Sequence, residues 1–123
     1  MSRVLVADDD PDIVALLRIR LEMAGHEVIG AQDGEEAWAI VLAGPLDLLV
    51  LDVTMPRLDG LALTRRVRLN PTTATVPIVV LTAAVQPADA EDAIAAGATA
   101  YVKKPFSPRD LAAQVEALLQ PAT

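Results

Sequence analysis

Four apolar runs of this chain each end at residues with a charged or hydroxyl side chain. These residues are Asp8 with Asp9, then Asp52, Thr82 and Lys104. Continuous runs of Val, Ile and Leu are typical of buried parallel strands, and open α/β sheets bind ligands just beyond the carboxyl ends of their strands. The sequence therefore predicts that several carboxylates, one hydroxyl and one ammonium meet at one edge of a single sheet. Such a set suits a divalent cation and a phosphoryl group.

The segments that position these residues predict five strands alternating with five helices. The strands are predicted at residues 3–7, 27–31, 48–51, 78–81 and 100–102. The helices are predicted from a cap at Asp10 or Asp12 to Gly25, at residues 34–43, from the end of a loop at 53–60 to about residue 69, at about 88–96 and at about 108–119. In the first helix, Ile13, Leu16, Leu17 and Leu21 have the spacing of an apolar face. This alternation predicts a parallel sheet covered by helices on both faces.

The composition limits the class of protein. The chain has 123 residues, of which 53% are hydrophobic and 2% aromatic, so it can bury one aliphatic core. The absence of cysteine excludes disulfides and thiolate metal sites, and the formal charge of -7 argues against direct nucleic-acid binding. With no long apolar stretch and no room for a signal peptide, we expect a cytoplasmic protein with no membrane contact. Residues 1–120 are predicted to form one domain, and residues 121–123 a tail or the start of a linker.

Four motifs lie in order on the predicted strand ends. They are VLVADDD at residues 4–10, LDVTMPRLDG at 51–60, LTA at 81–83 and YVKKPF at 101–106. Together they resemble the receiver domain of two-component response regulators, across essentially the whole chain. The resemblance implies a flavodoxin-like fold, a three-layer α/β sandwich with strand order 2-1-3-4-5. It also implies a switch that takes a phosphoryl group from a histidine kinase or a histidine phosphotransfer domain.

The resemblance implies a role for each acidic residue. Asp52 would be the phosphoacceptor, and Asp9, Asp52 and the carbonyl of Thr54 would bind Mg²⁺ directly, with Mn²⁺ as an alternative. Asp8 would be an outer partner of the metal. Independently of the resemblance, two carboxylates about 4 Å apart repel by roughly 4 kcal/mol at an effective dielectric constant near 20. Such a cluster therefore needs a cation or a bound proton.

Lys104 would neutralise the phosphoryl oxygens, and the resemblance implies a cis peptide bond before Pro105 that turns its ammonium inward. Strand alternation places Lys103 on the opposite face. Thr82 and Tyr101 would relay the change to a surface made of the fourth helix, fifth strand and fifth helix. That surface would contact an output domain or a partner protein, and homodimerisation through it is left open.

Two further positions are expected to tune the lifetime of the phosphoryl group. They are Thr54, two residues past Asp52, and Ala84, two residues past Thr82. In receivers, the residues at these two positions flank the path of an attacking water. Ala84 has no polar group to orient that water, so we expect slow self-dephosphorylation.

Other polar and aromatic residues receive no functional role. His26 is expected to be solvated, Trp38 to contribute to packing, and Arg65, Arg66 and Arg68 to form a solvated helix face.

Local explanations compete with this interpretation. The acidic run after the first strand suits a helix N-cap, and an isolated Asp52 suits a turn. An enzyme of the haloacid dehalogenase type would need a second Asp at the position of Thr54 and a cap insertion. A pseudo-receiver that only binds partners would have lost Asp52, Lys104 or the acidic pair, and the chain has all of them.

Overall fold

Five short strands form one parallel sheet in the computed structural model, which describes residues 2–83 and 87–119. The strands are β1 (Arg3–Ala7), β2 (Glu27–Ala31), β3 (Leu48–Asp52), β4 (Ile78–Thr82) and β5 (Ala100–Lys103). Their order in the sheet is β2-β1-β3-β4-β5. The predicted flavodoxin-like α/β fold and strand order are thus confirmed.

A helix follows each strand. The helices are α1 (Pro11–Met23), α2 (Gly34–Ala43), α3 (Gly60–Leu69), α4 (Pro87–Ala96) and α5 (Pro108–Leu119). Aspartates start the first three, because the side chains of Asp10, Asp33 and Asp59 each accept a hydrogen bond from a backbone N–H of the first turn. Of the two caps predicted for α1, the structure has Asp10. Among the described residues, no helix has both the length and the apolarity that crossing a bilayer demands.

The core has two parts, one on each face of the sheet. α2, α3 and α4 cover one face and α1 and α5 the other. Side chains of β1 and β3 alternate between the two parts, as the period of two along a strand requires. β3 and β4 are buried along their whole length, which is why they read as uninterrupted apolar runs.

The apolar face predicted for α1 is wrong at one position. Leu17 and Leu21 are buried against the sheet, whereas Leu16 is 48% exposed. Leu16 lies about 100° around the helix from Leu17. It therefore points away from the buried face of α1, toward an open depression that Phe106 also lines.

Candidate functional site

Three aspartates meet at the carboxyl edge of the sheet. Asp8 directly follows β1 and Asp52 ends β3, and these neighbouring strands pair Ala7 with Leu51. The ladder therefore brings both carboxylates to the same level. Asp8 is 0% and Asp52 4% exposed, and Asp9 is exposed. One carboxylate oxygen from each of the three lies within 4.8 Å of the others.

Lys104 joins this cluster from the other side. Its Nζ lies 3.0 Å from Oδ2 of Asp8 and 3.1 Å from Oδ2 of Asp52. The residue directly follows β5, the Lys104–Pro105 peptide bond is cis, and the Lys104 backbone N–H donates to the carbonyl of Thr82. Lys103 is exposed, as strand alternation predicts. The structure thus brings an ammonium and two buried carboxylates, far apart in sequence, into direct contact.

Backbone amides hold the two buried carboxylates from the opposite side. The N–H of Asp10 donates to Oδ1 of Asp8 at 2.9 Å, and the N–H of Thr54 to Oδ1 of Asp52 at 3.4 Å. Each carboxylate therefore has one oxygen directed to a backbone amide and one to the ammonium of Lys104.

Glycines fold the loop between β3 and α3 tightly onto the strand. A Cβ on Gly60 would lie 2.1 Å from the carbonyl oxygen of Asp52, and one on Gly34 would lie 1.8 Å from the carbonyl oxygen of Leu58. The N–H of Gly60 donates to the carbonyl of Val53 at 2.9 Å. Only glycine has room at these two positions. The absence of side chains there lets the loop that carries Thr54 lie close to Asp52.

Burial determines the charge state of the site. It raises the pKa of the Asp52 carboxyl from 3.8 to about 6, against the hydrogen bond from Lys104, and the negative charge of Asp8 adds to the rise. Burial alone would lower the pKa of Lys104, but its hydrogen bonds to Asp8 and Asp52 raise it. Lys104 is therefore charged at neutral pH, and Asp52 is harder to ionise than a free aspartate, although with a pKa of about 6 it is still mostly ionised there.

The donor atoms fit a hard cation. Each of the three carboxylates has an oxygen within reach of a shared position, and the exposure of Asp9 leaves the cluster open to water on one side. Mg²⁺ prefers oxygen ligands and keeps several of its waters. Thr54, expected to contribute its carbonyl, is exposed in the adjoining loop.

The two residues expected to relay a change lie on neighbouring strands. Thr82 ends β4 and is buried beside the cluster, and its carbonyl accepts from Lys104. Tyr101 on β5 is 39% exposed and lines an open groove against α4 together with Ile94. Ala84, expected to influence the phosphoryl lifetime, lies outside the described residues, as does the predicted tail at 121–123.

Two residues expected to be solvated are not. His26 is largely buried, and its Nε2 forms a hydrogen bond with Glu116 of α5. Arg68 is half-buried and donates to backbone and side-chain oxygens of two loops. The partners of both residues lie outside their own helix or loop, so periodicity within it gave no signal. Arg66 is exposed and stacks on Trp38, which packs against the core as expected.

Comparisons with known proteins agree with this geometry. Residues 4–116 match the family model of the response regulator receiver domain. The chain is 40% identical over 120 residues to the DNA-binding dual master transcriptional regulator RpaA of Synechocystis, covering 98% of this chain and 50% of RpaA. It is 42% identical over 119 residues to the alkaline phosphatase synthesis transcriptional regulatory protein PhoP of Bacillus subtilis, covering 97% and 49%. The chain spans about half the length of the curated relatives it matches.

Solved structures give the same result at the level of the fold. The chemotaxis response regulator CheY4 of Vibrio cholerae superposes with a TM-score of 0.91 at 33% identity, covering 96% of this chain and 98% of CheY4. The receiver domain of the Francisella response regulator 1452 gives 0.90 at 31% identity, covering 97% of both chains. With the matched residues spanning all five strands, the chain belongs to the receiver domain family of response regulators in two-component systems.

Proposed function

We propose that Asp52 is the phosphoacceptor of this domain. The observation that supports the proposal is the placement of Lys104 Nζ within 3.0 to 3.1 Å of two buried carboxylates, Asp8 and Asp52. A buried carboxylate next to an ammonium and further acidic oxygens combines a nucleophile with the charge that phosphoryl transfer requires.

The transfer begins with attack of an Asp52 carboxylate oxygen on phosphorus. A P–O bond forms as the P–N bond of a donor phosphohistidine breaks, and the leaving imidazole nitrogen keeps the electron pair and takes a proton from water. Lys104 supplies positive charge to the phosphoryl oxygens at the new acyl phosphate. Because the transition state carries its charge on those oxygens, positioning and neutralisation account for most of the acceleration.

Asp9 and Asp52, with the carbonyl of Thr54, would hold Mg²⁺ or Mn²⁺, and Asp8 would support them from outside. The bound cation would supply charge neutralisation for the phosphoryl group. The chain itself holds the carboxylates in place through the amides of Asp10 and Thr54.

The change at Asp52 reaches the surface through Thr82 and Tyr101. The Thr82 hydroxyl donates to a phosphoryl oxygen, and the movement of Thr82 leaves space for Tyr101 to turn inward. The buried position of Thr82 at the site and the exposed position of Tyr101 against α4 support this relay. The responding surface consists of α4, β5 and α5, and it contacts an output domain or partner protein, with a second copy as an alternative.

We also propose a biological setting for the domain, on the basis of its family. A sensor histidine kinase or a histidine phosphotransfer domain supplies the phosphoryl group in the cytoplasm. The formal charge of -7 argues that residues 1–120 do not themselves bind nucleic acid. Relatives such as RpaA are named as DNA-binding regulators. We propose that here too any contact with DNA belongs to an output domain and not to the receiver.

The test is phosphorylation in vitro by acetyl phosphate with Mg²⁺, followed by intact mass measurement. We expect the wild-type protein to gain one phosphoryl group and Asp52→Asn to gain none. The matched control is Asp59→Asn, since asparagine also caps helices and Asp59 is outside the acidic cluster. A phosphorylated Asp52→Asn would refute the site, and a wild-type protein that gains no mass would refute the function.

A further inference from the structure

Arg68 connects three segments of the chain at the edge of the sheet opposite the acidic cluster. Its Nε donates to the carbonyl of Gly97 at 2.8 Å, and its Nη1 to the carbonyl of Val76 at 2.6 Å. Nη1 also lies 3.3 Å from the carbonyl of Ala74, and Nη2 3.3 Å from Oγ1 of Thr99. One side chain of α3 thus holds both the loop before β4 and the loop between α4 and β5.

These bonds depend on the shape of the guanidinium. Within residues 2–83 and 87–119, no carboxylate forms an ion pair with Arg68, and burial lowers its pKa. The four oxygen acceptors are carbonyls and a hydroxyl, arranged around a planar fork of donors. A lysine has a single ammonium and cannot reach all of them from one position.

The contact with Gly97 fixes the end of α4. Gly97 has a φ of 113°, and its N–H and that of Ala98 bond back to Ile94 and Ala93, which is the Schellman motif of a helix C-terminus. A Cβ on Gly97 would lie 2.6 Å from Cγ of Arg68. The glycine therefore provides both the left-handed turn and the space that the arginine fills.

Thr99 extends the same anchor to β5. Its Oγ1 accepts from the N–H of Ile78, and its own N–H donates to the carbonyl of Ile78, so it ties the start of β5 to the start of β4. Tyr101 lies only two residues further along β5. The Arg68 contacts thus hold the strand that carries Tyr101 as well as the end of the helix beside it.

The rest of α4 is held weakly. Its buried side chains among the described residues are those of Ala93 and Ala96, which are small. Its first turn follows the segment that leaves Thr82 of the phosphorylation site. A change at Thr82 therefore acts on the start of a lightly packed helix whose far end is fixed.

We propose that Arg68 is a positioning residue for signal output, which fixes the corner between α4 and β5 so that displacement at the Thr82 end changes how α4 covers Tyr101. The inference rests on the proposed function, because it assigns Tyr101 and α4 to the output surface. Without the anchor, α4 shifts as a whole or frays, and the environment of Tyr101 no longer depends on phosphorylation.

The chain contains one tyrosine, so fluorotyrosine labelling gives a single ¹⁹F resonance from Tyr101. We compare wild type, Arg68→Gln, Arg68→Lys and the control Arg66→Gln, which removes an exposed arginine from the same helix. After acetyl phosphate and Mg²⁺, mass measurement gives the fraction phosphorylated and the ¹⁹F shift gives the response per phosphorylated molecule. We expect full phosphorylation in all four, a normal shift in wild type and Arg66→Gln, and less than half of it in both Arg68 variants.

An Arg68→Gln variant that shows the wild-type ¹⁹F shift overturns the proposal, even if its melting temperature falls. Hydrogen exchange of the unphosphorylated proteins tests the anchor separately from the proposed function. Residues 93–101 should exchange at least tenfold faster in Arg68→Gln than in wild type, with β1 and β3 unchanged as a sign of correct folding. Wild-type exchange there also overturns the proposal, whether or not the domain accepts a phosphoryl group.

Discussion

Replacing Asp52 by asparagine should stabilise the metal-free protein at neutral pH. The pKa of Asp52 rises from 3.8 to about 6 on folding, chiefly because the carboxyl is buried, with the charge of Asp8 adding to the rise. The folded protein therefore binds the Asp52 proton more tightly than the unfolded chain does. Asparagine resembles the protonated carboxyl in shape and carries no charge, so it avoids the cost of ionising the group in its buried position.

The size of the effect follows from the shift in pKa. About two units correspond to roughly 3 kcal/mol at 1.36 kcal/mol per unit. Because a raised acid pKa makes the folded state the better proton acceptor, the free energy of unfolding falls as pH rises from about 4 to about 6 and stays lowered above that. The advantage of Asp52→Asn should thus be near zero at pH 3.5 and about 3 kcal/mol at pH 7.5.

Urea unfolding in the presence of EDTA measures this difference at several pH values, with circular dichroism as the signal. The control is Asp92→Asn, which removes an exposed carboxylate from α4 and should not reproduce the gain in stability at pH 7.5. The reasoning fails if Asp52→Asn is no more stable than wild type at pH 7.5. It fails equally if its advantage is the same at both ends of the range.

Three further outcomes follow from the same site. Mg²⁺ at one hundred times its dissociation constant should stabilise the wild-type protein by about 2.7 kcal/mol. In a thermal shift assay, Asp9→Asn should lose most of that gain. An equal gain in wild type and variant would exclude Asp9 as a ligand. Lys104→Met should lower the free energy of unfolding by about 2 kcal/mol. This is less than the roughly 3–5 kcal/mol for breaking a fully buried ion pair, because the Lys104 side chain is 23% exposed. The variant should also gain mass from acetyl phosphate more slowly, and a variant unchanged in both stability and rate would refute the role of Lys104. Installing Asn at Thr54 and Glu at Ala84 should speed loss of the phosphoryl group, measured by the decay of labelled protein, and an unchanged lifetime would reject the expectation.

The meeting of acidic residues at one edge of the sheet could be predicted from the sequence because parallel pairing is a strong constraint. A run that is buried on both faces must end at the sheet edge, and the first polar residue after it must lie there. Asp8 and Asp52 each follow such a run. β5 is not buried on both faces, and strand alternation together with the motif resemblance placed Lys104, and not Lys103, at the site.

The anchors at other parts of the molecule could not be predicted in this way. Arg68 binds the carbonyl of Gly97, 29 residues away, and His26 binds Glu116, 90 residues away. Backbone carbonyls have no sequence signature as acceptors, and an arginine in the last turn of a helix is typical of a solvated face. Leu16 shows the same limit within a helix, since its spacing suits the core but its side chain is 48% exposed.

A receiver needs a rigid site and a movable surface in one small domain, and here the two requirements fall on different elements. β3 and β4 are buried throughout and carry Asp52 and Thr82 at their ends, so the strand backbones of the site stay fixed and only side chains such as that of Thr82 turn. α4 contributes small alanines to that core and spans the sheet from the site edge to the corner held by Arg68. Repacking such a helix costs little, because few large side chains leave their contacts. In the proposed function, a charge added at Asp52 therefore changes the exposed surface at Tyr101 while the sheet that holds the charge stays fixed.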